Sequence, residues 1–285
     1  MFAARAAQNV PTLSRSRVYL AGPVLDPRDA SDARMQVADA ARQQVDIIKI
    51  RVDDNLGGTA KMTPDVYRAV IAAAHERGLR VAAHLFYLDD AKELLRAGVD
   101  VIAHSVRDKD IDDEFIALMK ARSVPYIATL TRELSTFVYE STPTFFNDPF
   151  FTREADPAMV ARLQEPARQQ AMRAPKSAQA YKAALAVAQR NLKKAADAGL
   201  LIAMGTDSGA FPERFQGYFE HIEMTPAHVL RASTADAARA MQVKDIGGLS
   251  PGMWADFVVL ERDPRADIRH TRSIASVWVA GKSLR

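Results

Sequence analysis

The chain has 285 residues, of which 48% are hydrophobic and 26% are charged, so it is long enough and apolar enough to bury a large globular core. Its 38 basic residues are scattered and nearly balanced by 35 acidic ones, a net charge of +3, which gives no indication of nucleic-acid binding. The absence of cysteine excludes disulfides, thiolate nucleophiles and thiolate metal sites, so any bound metal must use nitrogen and oxygen ligands.

As far as residue 130, short apolar runs alternate with segments of helical periodicity. Apolar residues in the helical segments recur at three- and four-residue spacing. Thr63-Pro64 is a clear helix start, and Gly98 is a clear stop. The predicted strands are residues 18–20, 45–49, 81–84, 101–104, 126–130 and 200–204, and the first predicted helix covers residues 29–44.

The predicted strands are apolar throughout, which is typical of a parallel sheet that is covered on both faces. Strict alternation of short strands and helices predicts an α/β fold, and it favours a (β/α)8-type TIM barrel over an open doubly wound sheet. In such barrels the catalytic residues lie at the carboxyl ends of the strands. Lys49, His84, His104 and Asp207 all lie at such ends, Asp207 within the Gly205–Gly209 turn.

Between about residues 131 and 199 the alternation stops. Phenylalanine and tyrosine cluster among prolines and threonines, and a long helical stretch follows, from about residue 157 to 198. An insertion of this length after a barrel strand builds a lid or a pocket wall, and we therefore expect Tyr139 to contact substrate. The alternative is that these aromatic residues only anchor the loop on the barrel.

After Asp207 the sequence returns to a helix that starts at Thr225-Pro226, and from residue 247 it changes to all-β texture. Residues 256–260 and 274–282 predict two strands joined by a polar loop. We therefore divide the chain into a barrel at residues 1–246, with the insertion at about 131–199, and C-terminal β-sandwich strands at residues 247–285.

Taken one at a time, the polar residues at the predicted strand ends are weak evidence of a metal site. A single histidine in this position is more often a hydrogen-bonded structural residue than a metal ligand, and a glycine-flanked aspartate is commonly a turn former. The same placement recurs for His84, His104 and Asp207, and this recurrence indicates one shared site. Imidazole and carboxylate ligands suit a divalent metal: zinc first, one ion or two, with manganese or iron as alternatives.

The chain resembles the amidohydrolase superfamily, in its imidazolonepropionase/prolidase-like branch, over nearly its whole length. The glycine-aspartate turn and the C-terminal tail are the most specific parts of the resemblance. The matching segments are residues 48–50, 81–84, 98–105, 205–209, 225–240, 248–260 and 277–282.

The resemblance implies a role for each matching residue. His84 and His104 correspond to the metal-binding histidines of the fifth and sixth barrel strands. Asp207 corresponds to the eighth-strand aspartate, which binds metal and shuttles the proton. Lys49 corresponds to the fourth-strand lysine, which in some branches is carboxylated and bridges two metals; the alternative for this lysine is an ion pair with a loop carboxylate such as that of Asp53. The position of His221 implies a substrate contact.

The sequence departs from the family pattern at its beginning. The His-x-His motif of the first strand does not occur, and residues 18–20 correspond to the third strand, so strands one and two are missing from the alignment. We expect weaker metal binding as a result. We also expect self-association into a homo-oligomer, because a partial barrel exposes two sheet edges.

The first functional prediction is a metal-dependent hydrolase that cleaves amide-type C–N bonds of a small molecule with metal-activated water. A second is a catalytically impaired barrel that acts as a binding or oligomeric scaffold, and a third is a lactone or ester hydrolase that uses the same site. No apolar run approaches the roughly 20 residues of a membrane helix. The start of the chain is too short and too polar for a signal peptide, so we expect a cytoplasmic protein without membrane or nucleic-acid partners.

Overall fold

The computed structural model describes residues 1–153, 155–173, 177–207 and 224–284. Its first part alternates short strands with helices, and its last part is β structure. In chain order the elements are α1 Phe2–Ala6, β1 Val24–Leu25, α2 Ala30–Arg42, β2 Ile48–Val52, α3 Pro64–His75, β3 Val81–Leu85, α4 Leu88–Ala97, β4 Val101–Ala103, α5 Asp113–Ala121, β5 Tyr126–Ile127, α6 Leu130–Ser135, α7 Pro149–Thr152, α8 Pro157–Leu163, α9 Pro166–Arg173, α10 Ser177–Asp197, α11 Pro226–Ser233, α12 Ala235–Met241, β6 Phe257–Leu260, β7 Ile274–Val279 and β8 Lys282–Ser283.

The first five strands form one parallel sheet in sequence order, β1-β2-β3-β4-β5. A parallel bridge between Tyr126 and Ile202 places the next predicted strand beside β5. The order does not reverse among the described strands, whereas a doubly wound sheet reverses at its switch point. The prediction of an α/β fold with a parallel sheet is confirmed, and the strand order is that of a barrel wall.

The predicted first strand is shifted along the chain. Residues 18–20 are not a strand; β1 is formed by Val24 and Leu25, which pair with Lys49 and Ile50 of β2. Leu20 does lie beside the start of β2, since its carbonyl accepts from the Asp46 N–H. Its own N–H donates to the Asp46 side chain at 2.8 Å, so a carboxylate takes the place of a strand partner.

The helices begin and end where the sequence signals predict. The Asp29 side chain accepts from two N–H groups in the first turn of α2, and Gly98 ends α4 with the left-handed conformation (φ +97°). The sheet and the surrounding helices enclose one large core of fully buried aliphatic residues, which includes Ile48, Ile50 and Ile102. This core fixes the strand ends relative to one another.

Asn191 ties α10 to the loop that follows β4. The side chain is 1% exposed; its Oδ1 accepts from the Ile111 N–H, and its Nδ2 donates to the carbonyls of Val106 and Lys109. A buried amide with these three partners is satisfied, and it fixes the course of the loop behind the His104 strand.

The insertion has a small core of its own. Tyr139, Phe145, Phe146, Phe151 and Leu163 are buried together, and the rings of Phe146 and Phe151 stack with centroids 5.3 Å apart. The long helical stretch predicted here consists of α8, α9 and α10, because Pro166 starts a new helix after α8.

The C-terminal segment is a three-stranded antiparallel sheet in the order β6-β7-β8. The predicted second strand is divided, because Ala280 and Gly281 both have positive φ and form the turn between β7 and β8. Asp256 joins this segment to the N-terminal part, since its carboxylate lies 2.7 Å from Arg17 Nε. The division into a barrel and a β-sandwich segment stays a proposal.

Hydrophobic side chains are exposed along the β1 side of the parallel sheet: Val24 is 54% and Met35 55% exposed. Self-association over this edge stays a prediction. Across the ranges that the structure describes, every helix is too short or too polar to span a lipid bilayer.

Candidate metal centre

Register places Lys49 and His84 on one face of the parallel sheet. Arg51 of β2 is opposite His84 of β3, and Lys49 is opposite Ala82, two residues before His84. Because side chains alternate between faces along a strand, Lys49 and His84 point to the same side. That side is the inner face, since Ile48, Ile50 and Val52 are buried on the helix-covered side.

His84 is held by a carboxylate. Its Nε2 lies 2.7 Å from Oδ2 of Asp53, whose side chain is only 3% exposed. Burial alone would raise the pKa of Asp53, but the hydrogen bonds from His84 and the Asn55 N–H outweigh it and lower the pKa to about 2. An ionised carboxylate can only accept, so Nε2 carries the proton. Burial also lowers the pKa of His84, which leaves a neutral ring with a lone pair on Nδ1.

His104 is held through its other nitrogen. Its Nδ1 lies 2.6 Å from the Thr129 hydroxyl oxygen. The rings of His84 and His104 are neighbours, with centroids 4.3 Å apart. Burial lowers the pKa of His104 well below its usual value, and His84 and Lys49 lower it further, so this imidazole is neutral at neutral pH. The Thr129 hydroxyl oxygen can accept from Nδ1–H, and in that tautomer the Nε2 lone pair is free to bind a cation.

Asp207 faces this nitrogen. The distance from its Oδ2 to His104 Nε2 is 3.7 Å, too long for a hydrogen bond. Two ligands that sit 2.1 Å from a tetrahedral ion are about 3.4 Å apart, so the spacing suits a shared metal. The side chain of Asp207 is 48% exposed, which leaves it accessible to water and substrate.

The arrangement brings donors together in pairs. Within residues 1–153, 155–173, 177–207 and 224–284, no three His, Cys, Asp or Glu side chains are grouped closely enough to hold one ion. The chemistry of the donors nevertheless fits a divalent cation: Nδ1 of His84 and Nε2 of His104 are unprotonated in the tautomers described, and the carboxylate of Asp207 is close by.

Lys49 is the fourth predicted ligand, and its amine lies in a buried, charged environment. Burial lowers the pKa of Lys49 to about 8, although the charge of Asp207 raises it in part. About half of the amine is therefore neutral at pH 8. The structure pairs Asp53 with His84, and the carboxylate whose charge acts on Lys49 is that of Asp207.

The backbone is strained at three neighbouring strand ends. His104, Thr129 and Asp207 all have positive φ, of +78°, +48° and +50°. This conformation is uncommon for residues other than glycine, and least favourable for a β-branched residue such as Thr129. Strain of this kind persists where the surrounding packing requires it, and it is concentrated at functional sites.

The adjacent Gly205 allows two strands to approach closely. A Cβ atom at this position would lie 2.9 Å from Ile127 Cγ2 and 3.5 Å from Thr129 Cγ2. Only glycine lets the backbone that precedes Asp207 pass β5 at this distance. Glycine here therefore brings Asp207 up to the His104–Thr129 pair.

Of the two predicted substrate contacts, only Tyr139 lies among the described residues. Tyr139 is 3% exposed and stacks on Phe146 inside the small core of the insertion, which agrees with the anchoring alternative. Its substrate contact stays a prediction. His221 lies outside the described residues, as do Ser208 and Gly209 of the glycine-aspartate turn.

Two residues of the site were missed from the sequence. Thr129 lies two residues after β5, and the sequence analysis counted it as part of the predicted strand at residues 126–130. Asp53 was considered only as a partner of Lys49. Its contact with His84 depends on the course of the loop after β2, for which the sequence offers no signal.

Comparison with protein families gives one match over nearly the whole chain. The model of the amidohydrolase family matches residues 2–284. An uncharacterized protein of Mycobacterium tuberculosis is 28% identical over 262 residues, which cover 89% of this chain and 62% of the relative. An imidazolonepropionase of Deinococcus deserti is 34% identical over 95 residues, 30% of this chain and 24% of that enzyme. The chain thus spans about three fifths of the length of the mycobacterial relative.

Solved structures resemble the fold at low sequence identity. A crystal structure of an amidohydrolase has a TM-score of 0.71 at 20% identity, covering 92% of this chain and 59% of the other. A Xaa-Pro dipeptidase with methionine bound in its active site has a TM-score of 0.67 at 21% identity, covering 92% and 60%. These likenesses are consistent with the predicted TIM-barrel-like fold.

Proposed function

The chain belongs to the amidohydrolase family, and from this premise we propose that it is a metal-dependent hydrolase of C–N bonds in a small molecule. The observation that carries the proposal is a pair of contacts that share His104: its imidazole neighbours that of His84, and its Nε2 lies 3.7 Å from the carboxylate of Asp207. The resemblance to a Xaa-Pro dipeptidase and to imidazolonepropionase supports amide-type substrates.

The protein groups that would hold the cation are His84 through Nδ1, His104 through Nε2 and the carboxylate of Asp207. A divalent cation, when bound, lowers the pKa of a water molecule and polarises the substrate carbonyl. Zinc is proposed first because two imidazoles and a carboxylate are common zinc ligands, with manganese and iron as alternatives. Hydrogen bonds between Asp53 and His84 and between Thr129 and His104 fix the orientations of the two rings.

Asp207 would move the proton. Its carboxylate accepts a proton from the attacking water as the oxygen forms its bond to the amide carbon. It then delivers that proton to the leaving nitrogen as the C–N bond breaks, so the products are a carboxylic acid and an amine. Partial exposure of Asp207 suits this role, because a proton carrier must reach both water and substrate.

Lys49 is proposed to act as a carboxylated lysine. An ammonium group cannot ligate a cation, whereas the neutral amine can add CO2, form an N–C bond and lose one proton to become a carbamate oxygen ligand. We expect a mass increase of about 44 Da on Lys49 in metal-loaded protein at pH 8 with bicarbonate, detected by native mass spectrometry. Lys49→Met should remove it, whereas Lys61→Met, at a lysine paired with Asp90, should retain it. An unmodified Lys49 in metal-loaded protein would disprove this role.

Metal dependence is the direct test of the proposed function. We expect purified protein to contain a divalent metal, and we expect chelation to abolish hydrolysis of N-acyl amino acids and dipeptides until zinc or manganese is restored. The readouts are elemental analysis and product formation on a substrate panel that includes lactones and phosphoesters. Hydrolysis unaffected by complete metal removal would contradict the proposal. A chain that neither binds metal nor hydrolyses any member of the panel supports the scaffold alternative.

A further inference from the structure

Arg107 has the largest fully buried side chain among the described residues, and it lies near the candidate metal centre. Arg107 is 1% exposed, and its Nη1 donates to the carbonyl of Leu85 at 2.9 Å and to the carbonyl of Ser105 at 2.7 Å. These two carbonyls belong to the residues that directly follow His84 and His104. The Arg107 main-chain N–H makes a third bond, to the carbonyl of Phe86 at 3.0 Å.

We propose that Arg107 is a positioning residue that holds the His84 and His104 strand ends at a fixed separation for metal binding. This inference rests on the proposed metal-dependent function. Arg107 Nη1 bonds both the Leu85 and the Ser105 carbonyl. These two backbone groups therefore cannot move apart without breaking a buried hydrogen bond. His104 has the strained φ of +78°, and a backbone bond one residue later helps to retain that conformation.

The charge of Arg107 is neutralised by a carboxylate that is equally buried. Its Nε lies 3.0 Å from Glu133 Oε1, and both side chains are 0% exposed. The Nε–H of Arg107 makes no hydrogen bond to a described residue, so this contact is an ion pair and not a directed bond. Glu133 also pairs with Arg132 at 3.0 Å, and the ring of Phe86 lies 4.5 Å from the Arg107 guanidinium.

Stability alone does not account for this pair. Removing two charges from water is costly, and replacing a buried ion pair by apolar side chains is often neutral or stabilising. An arginine is required here for geometry, because its planar group can bond two carbonyls and face a carboxylate at the same time. Lysine carries the same charge but cannot make this set of contacts.

The test separates positioning from stability with two variants. Arg107→Met combined with Glu133→Met removes both charges and the bonds to the carbonyls. Glu133→Gln keeps those bonds but removes the countercharge. For each, the affinity for Co²⁺ is measured by competition with a chelator, the Co²⁺ visible absorption spectrum is recorded, and thermal unfolding is followed by circular dichroism.

We expect the double variant to bind Co²⁺ about 10- to 100-fold more weakly than the unaltered chain, with a changed visible spectrum and little change in Tm. Glu133→Gln should lower Tm clearly but change Co²⁺ affinity by less than about 3-fold. If the double variant does not fold, Arg107→Lys is measured in its place, because it keeps the charge but one nitrogen cannot make both the carbonyl bonds and the Glu133 contact.

Two outcomes distinguish the inference from its premise. Unaltered affinity and spectrum in the double variant, with normal binding by the unaltered chain, would overturn the role of Arg107 alone. Affinity that simply follows Tm across the variants would also overturn it, since it would show a purely structural role. An unaltered chain that binds no Co²⁺ would overturn the proposed function as well.

Discussion

Asp207→Asn should lower kcat/KM by about 10²- to 10⁴-fold at saturating metal, because the amide cannot accept the proton of the attacking water. The residue is placed for this task by its position after a strand, by Gly205 before it and by the 3.7 Å approach to His104. The measurement is the steady-state rate on whichever amide substrate the panel identifies, with zinc or manganese in excess.

The control for Asp207→Asn is Asp89→Asn. Asp89 is an exposed aspartate near the same ends of the strands, 3.0 Å from Lys109, so this variant changes the net charge equally without altering the candidate centre. We expect its rate to stay within about 2-fold of the unaltered chain, as for other exposed ion pairs. If Asp207→Asn binds metal and its rate is within tenfold of that of the unaltered chain, another group moves the proton.

Much of the fold could be predicted because its signals are local. Apolar strands, the Thr63-Pro64 start and the Gly98 stop each depend on residues within one element, and the structure contains these elements. Their bounds differ: the strand predicted at residues 45–49 is Ile48–Val52, so Lys49 lies near its start and not at its carboxyl end. The prediction of a strand at residues 18–20 was wrong for a physical reason. The Leu20 N–H donates a hydrogen bond to the Asp46 carboxylate, so a side chain takes the place of a neighbouring strand.

Of the candidate site, only the residues at predicted strand ends could be found from the sequence. His84, His104 and Asp207 share a position relative to their strands, and periodicity finds such positions without knowledge of the loops. Asp53 contacts His84 across 31 residues of sequence, and this pairing depends on the path of a loop. Arg107 looks like an ordinary surface residue in the sequence, since its burial follows from Glu133 in a later helix.

A second histidine–carboxylate pair lies beside the amino end of β3, which makes a matched comparison possible. His75 Nε2 lies 2.8 Å from Asp100 Oδ2, and the same carboxylate accepts from the N–H of Val81, the first residue of β3. His84 and Asp53 form the corresponding pair, at 2.7 Å, at the carboxyl end of the strand. Among the described residues, only the pair at the carboxyl end is adjacent to another imidazole, that of His104.

His84→Ala should therefore weaken metal binding by at least about 100-fold, whereas His75→Ala should leave it unchanged. Removing a residue that hydrogen-bonds a metal ligand typically weakens metal affinity about 10- to 100-fold. We expect a loss of affinity in that range for Asp53→Asn and no loss for Asp100→Asn. Metal affinity measured by chelator competition on the four variants, with Tm for each, tests this directly. Equal losses at the two ends of β3 would mean that stability and not ligation governs the affinity, and the metal centre assigned to His84 would be wrong.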